Sequence, residues 1–345
     1  MNRKNWIDVI KVFAAILIIV QHSVSTMWTD YQDGTVSWKI LTAIFMLARC
    51  SVPLFVMCSG YGMMAKERSI KDVLLHILKL LIVYASWMII YGIADCLVLL
   101  SNGEPTPSAL SAIPKAVGMG RYHVWYIFGL MGLYLMTPIL WELMKNKKIF
   151  TYALIVSFTA TFTIPLVQRM PTYNRFEYTL GSFDFTYLYG YIFYYLIGAC
   201  LHVYKLEIRD NKVALIVGTV VMFILVYVMT VVASARQGEA VQTYFDDMRI
   251  TGMILYILVF ASLRFAFAGI KDNWLINTLA KVGFAVYMSH VLIINLADKI
   301  GLTGFFKALF VYIVAAFICI GVSHVPILRD FFISGKLRFM RKKEA

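Results

Sequence analysis

The sequence predicts an all-α, polytopic membrane bundle of about ten crossing helices, with both termini in the cytoplasm. Three observations point there. Of 345 residues, 61% are hydrophobic and only 15% charged. Apolar runs of membrane-spanning length recur from one end of the chain to the other. Lys and Arg collect in alternate connections between those runs. A soluble domain carries roughly 25% charged residues, and a chain this large with so few could not cover its surface in water. Each crossing needs about 20 apolar residues, and a helix satisfies its own backbone where water is absent. No alternating strand pattern of a membrane barrel is present. The chain reads as one transmembrane domain over 1–345, ending in a short basic tail from 329 to 345.

The spans fall near 6–26, 41–64, 73–100, 123–144, 150–168, 185–204, 213–233, 250–268, 279–298 and 305–328. The first follows Arg3 and Lys4 but is interrupted by Asp8 and Lys11, and nine more spans come after it. It therefore reads as a signal anchor rather than a cleaved signal. The stretches Ser101 to Tyr122, Gln168 to Asp184 and Ser234 to Arg249 are polar, rich in Gly, Pro or aromatics, and long for simple connections. Loops of that length suit the cover of an outer-facing site. No internal repeat marks an inverted-repeat transporter.

Charge tests the topology independently. With the N-terminus inside, nineteen Lys and Arg fall in inner connections and tails, and eight in outer ones. That is the cytoplasmic bias of membrane proteins. It also accounts for the net charge of +13 without nucleic acid as a partner. The five cysteines, Cys50, Cys58, Cys96, Cys200 and Cys319, all lie in apolar segments and match no zinc spacing. They read as small buried hydrophobes.

Ionisable groups inside a membrane are costly and mark function by default. The first span carries Asp8, Lys11 and His22. Lys11 and His22 are eleven residues apart, close to three turns, so they share a face and lie about 16 Å apart along the axis. Asp8 is one turn before Lys11, at the inner end. The second span places Arg49 about two turns in from its outer edge, followed by Pro53, Phe55 and Ser59-Gly60-Tyr61. Gly60 also suits close helix packing. The fourth span opens His123-Val-Trp125-Tyr126, a pattern that an interfacial aromatic belt would share. The ninth contains Tyr287-Met-Ser289-His290. His76, His202 and His324 fall near inner edges and read as structural. His22, His123 and His290 lack a carboxylate or thiol at their depth, so a general-base imidazole is the simpler reading than a metal site.

With these residues in order, the whole chain resembles the membrane-bound acyltransferase-3 family. The resemblance rests on Asp8 and Lys11 followed by His22, and on Arg49 with Pro53, Phe55 and Ser59-Gly60-Tyr61. It rests also on His123-x-Trp125-Tyr126 and, more weakly, on Tyr287-Met-Ser289-His290. In one place the chain departs: Lys11 stands where the family usually has Arg, ten residues ahead of the His. Lys keeps the charge but lacks the bidentate fork that fits phosphate.

The resemblance implies an acyl group, usually acetyl, moved from cytoplasmic acetyl-CoA to a hydroxyl of an envelope polysaccharide, peptidoglycan or glycolipid. It implies catalytic roles for His22, Arg49 and His123, and donor contacts at Asp8, Lys11, Ser59, Trp125 and Tyr126. His290 and Tyr287 are implied on the substrate side, and no metal is. The rival class is a carrier for an amino acid such as serine, because some membrane domains resembling this family are attached to racemases. A weaker rival is a scaffold in envelope assembly.

Overall fold

The protein is described by a computed structural model covering residues 5–31, 35–167, 189–204 and 212–336. The expected outer loop 168–184, the inner-loop cations Lys205 and Arg209, and the tail beyond Lys336 lie outside these residues. Every long element is helical. In chain order these are α1 (Asn5–Thr29), α2 (Val36–Arg49), α3 (Ser51–Met63), α4 (Ile70–Ser101), α5 (Thr106–Leu110) and α6 (Ala112–Met119). Next come α7 (Trp125–Met144), α8 (Lys147–Phe158), α9 (Ile164–Val167), α10 (Tyr191–Val203) and α11 (Lys212–Gln237). The last are α12 (Ile250–Ala266), α13 (Trp274–Lys299), α14 (Gly304–His324) and α15 (Pro326–Arg329).

Among the described residues, eight helical stretches are long and apolar enough to cross a membrane, with α2 and α3 counted as one and α8 running through a π-helical turn into α9. The shorter apolar helices α10 and α12 fall within the expected segments 185–204 and 250–268. The chain is thus a multi-pass helical membrane protein. All five cysteines are buried and free, as the apolar surroundings of each suggested.

Backbone contacts divide the chain into two compact units: Met1–Arg68 with Met136–Asn273, and Ser69–Leu135 with Trp274–Ala345. Helix α7 contributes its first half to the second unit and its last half to the first.

In the first unit, α1 has no Pro or Gly and packs against α2, α3 and α12. The α1–α2 turn is tied by tryptophans. Trp28 Nε1 donates to Thr42 Oγ1 at 3.1 Å, and Trp38 Nε1 donates to the Trp28 carbonyl at 3.0 Å. The helix breaks at Cys50, between α2 and α3. Pro53 has no N–H to give the Arg49 carbonyl, so an unbroken ladder cannot run through this point. Arg49 therefore ends a helix in mid-span. Helices α3 and α10 approach at Gly60 and Gly198: a Cβ on Gly60 would overlap the Tyr195 carbonyl, and one on Gly198 the Met57 carbonyl. Small residues permit such an approach between membrane helices. Helix α11 turns Val217, Val221 and Val228 outward, as a lipid-facing helix does.

In the second unit, α4 starts with a capping box between Ser69 and Asp72 and packs against α6 and α13. The stretch 101–122, expected as a polar loop, instead contains α5 and α6. Pro107 sits in the first turn of α5, where its missing N–H costs nothing. Ala109 and Ala112 then pack on Cys96 of α4. The residues opening the expected tail are also folded. Trp87 Nε1 donates to the Phe332 carbonyl at 3.0 Å, and Gly335, with φ of 59°, lies against the Lys79 carbonyl.

Candidate active site

Two clusters hold the residues singled out by sequence, one in each unit. In the first unit, α1, which carries His22, packs against α2, which ends in Arg49. Both side chains are only partly exposed; that of Arg49 is 21% exposed. One turn of sequence around them is polar as well: Gln21 is buried and accepts from the Ser51 hydroxyl at 3.4 Å.

Arg49 has a partner that sequence reasoning missed. Asp247, 5% exposed, lies in the connection between α11 and α12. Its Oδ1 accepts from Arg49 Nη2 at 3.2 Å, and its Oδ2 accepts from the Tyr191 hydroxyl at 2.5 Å. Burial pushes the pKa of the Asp247 carboxyl up; Arg49 and the Tyr191 hydroxyl pull it back down. A buried ion loses its hydration and persists only with a close partner and further hydrogen bonds, and Asp247 has both. The backbone around it is pinned by tyrosines. The Tyr194 hydroxyl donates to the Asp247 carbonyl at 2.6 Å, and the Tyr256 hydroxyl donates to the Phe245 carbonyl.

Nearer the start of α1, Asp8 is buried and Lys11 half-buried. Ser59, beside Cys58, is half-buried. Asp8, Lys11 and His22 lie on one unbroken helix that packs against both α2 and α3. The expected shared stripe on α1 is present.

In the second unit, His123 and His290 are both buried, with ring centroids 5.1 Å apart in an edge-to-face arrangement. The Tyr287 ring completes a triangle, 5.8 Å from His123 and 5.7 Å from His290. Its hydroxyl donates to the His123 carbonyl, and its own carbonyl pairs with His290 Nδ1. The Tyr91 ring packs 5.7 Å from His123, and its hydroxyl donates to the Met288 carbonyl at 2.9 Å. Tyr126 is buried against Tyr287, whereas its neighbour Trp125 is 48% exposed. Trp125 therefore has the exposure of an interfacial aromatic.

Of the other histidines, His324 is exposed at the end of α14. His202 Nε2 pairs with the Tyr61 carbonyl at 2.9 Å, and His76 Nδ1 with the Asp72 carbonyl at 2.7 Å. Among the described residues, no three His, Cys, Asp or Glu side chains converge as metal ligands.

The acyltransferase-3 family model, described as an acyltransferase domain, matches residues 4–325. The chain belongs to that family and is a membrane acyltransferase. No curated protein and no solved structure matches it.

Proposed function

We propose that this protein transfers an acyl group, acetyl in the first instance, from acyl-CoA on the cytoplasmic side to a hydroxyl of an extracytoplasmic envelope carbohydrate. The observation that carries the reading is the acyltransferase domain over residues 4–325, in which α1 with His22 packs against α2 ending in Arg49. An acceptor hydroxyl is a weak nucleophile and needs a base that is neutral near physiological pH, and imidazole is suited to this. As the acceptor oxygen bonds to the acyl carbon, His22 takes its proton. The carbonyl oxygen gains negative charge, for which the Arg49 guanidinium is a donor. The carbon–sulfur bond then breaks, and the CoA thiolate leaves and is protonated.

Lys11, toward the expected cytoplasmic end of α1, suits a phosphate of the donor, with Asp8 and Ser59 beside it. His123 joins His22 and Arg49 in the chemistry, Trp125 and Tyr126 add donor contacts, and Tyr287 and His290 serve the substrate side. Mass spectrometry of envelope glycans from cells with and without the protein tests the reading. Loss of an O-acyl group with the protein supports it, and identical glycans overturn it.

The buried Asp8 and Gln21 on the same helix as Lys11 and His22 would equally line a permeation path. Counterflow of serine in vesicles free of CoA would favour that carrier reading. Acetyl-CoA binding by the purified protein favours the enzyme.

A further inference from the structure

Arg49 and Asp247 form a one-point pair where a two-point pair was available. An Arg–carboxylate pair is commonly bidentate, both carboxylate oxygens meeting two N–H groups of one guanidinium edge. Here only Nη2 meets Asp247, through Oδ1, while Oδ2 is turned to the Tyr191 hydroxyl. Arg49 Nε is buried and makes no hydrogen bond among the described residues. A buried donor left without a partner is costly, so its retention calls for an explanation.

The connection carrying Asp247 has little freedom to shift toward Nε. Tyr194 holds the Asp247 carbonyl, Tyr256 holds the Phe245 carbonyl, and the Met248 N–H donates to Asp246 Oδ1 at 2.9 Å. Gly252 opens the next helix so closely that a Cβ there would overlap the Asp246 carbonyl.

We propose that Asp247, with Tyr191 as its brace, is the positioning residue for Arg49: it fixes the guanidinium by one nitrogen and keeps Nε available to the oxygen that gains charge in acyl transfer. The assignment rests on the acyltransfer reading above. Asp247 neutralises most of the cation's cost inside the bundle without consuming the donor the reaction uses. Tyr191 holds the carboxylate in that orientation through Oδ2.

The test measures acyl transfer by the full-length protein in vesicles, with acetyl-CoA and an envelope glycan, for wild type and variants. Asp247→Asn keeps the shape and loses the charge. It should lower kcat roughly tenfold or more, since oxyanion donors are typically worth more than that, with KM for acetyl-CoA unchanged. Asp247→Glu should recover part of the rate. The double variant Asp247→Asn with Arg49→Ala should be no slower than Arg49→Ala alone, because a positioning residue has nothing left to position. A residue that only holds the connection in place would instead add its loss to that of Arg49→Ala. Where Asp247→Asn fails to fold, Tyr191→Phe carries the test. It frees Oδ2 to reach Nε and should lower kcat with KM unchanged. Additive losses, or a wild-type kcat in the folded variant, overturn the assignment while leaving acyl transfer standing. A wild-type protein that transfers nothing ends the acyltransfer reading and this assignment with it.

Discussion

Arg49 and Lys11 are both cations in membrane-crossing helices, and they are held differently. Arg49 pairs directly with a buried carboxylate, whereas Lys11 is half-buried on α1. If Lys11 meets a donor phosphate, Lys11→Ala weakens acetyl-CoA binding to the purified protein and leaves its fold intact. Lys11→Arg keeps or tightens binding, because Arg adds a second hydrogen bond to phosphate. Titration calorimetry reads this, and unchanged affinity in Lys11→Ala removes the donor role. Arg49→Ala should damage transfer nearly as much as loss of His22, while His324→Ala, at an exposed helix end, should be mild. The polar stripe of α1 was legible in the sequence because spacing within one helix fixes which residues share a face. Asp247 was not, because it lies 198 residues from Arg49 in a connection with no periodicity. A usable cue existed: a mid-span Arg needs a counter-charge, and Asp246-Asp247 sits among aromatic and apolar neighbours between two spans.

Among the elements, α3 and α10 depend on bare backbone at their crossing. Gly198→Ala should drive a Cβ into the Met57 carbonyl and lower the Tm in detergent, by about 1–3 kcal/mol of stability as overpacking does. Gly218→Ala, where a side chain would meet open space, should leave the Tm unchanged or raise it slightly. Equal Tm values for the two variants would contradict this packing. The break after Arg49 could be anticipated from Pro53, since a proline states locally which hydrogen bond is absent. Helices α5 and α6 could not. Their Gly and Pro content reads as a loop, and they are helical because Ala109 and Ala112 find an apolar seat on α4. That is a tertiary effect that overrides local preference.

At the scale of the whole molecule, the alternation of basic connections sets the expected topology, with both ends inside. Thiols introduced at Thr106 and Gln237 should label from outside intact cells, and those at Glu67 and Asn146 should not. Outside labelling at Asn146 would sink the arrangement. The helical membrane class was legible because composition and span length are global properties that no single residue can disguise. The division into two compact units was not, because α7 passes from one to the other without a change in hydrophobic pattern. The proposed acyl transfer depends on His22 as its base. The measurement that tests it most directly is transfer of labelled acetyl from acetyl-CoA to envelope glycan, in vesicles containing wild-type or His22→Gln protein. Glutamine fills the space but cannot take the proton, and loss of a positioned base costs about 10²–10⁴-fold. The account predicts that wild type transfers label, while His22→Gln folds and binds acetyl-CoA but falls by about that factor. A His22→Gln protein that transfers at a near wild-type rate would contradict it.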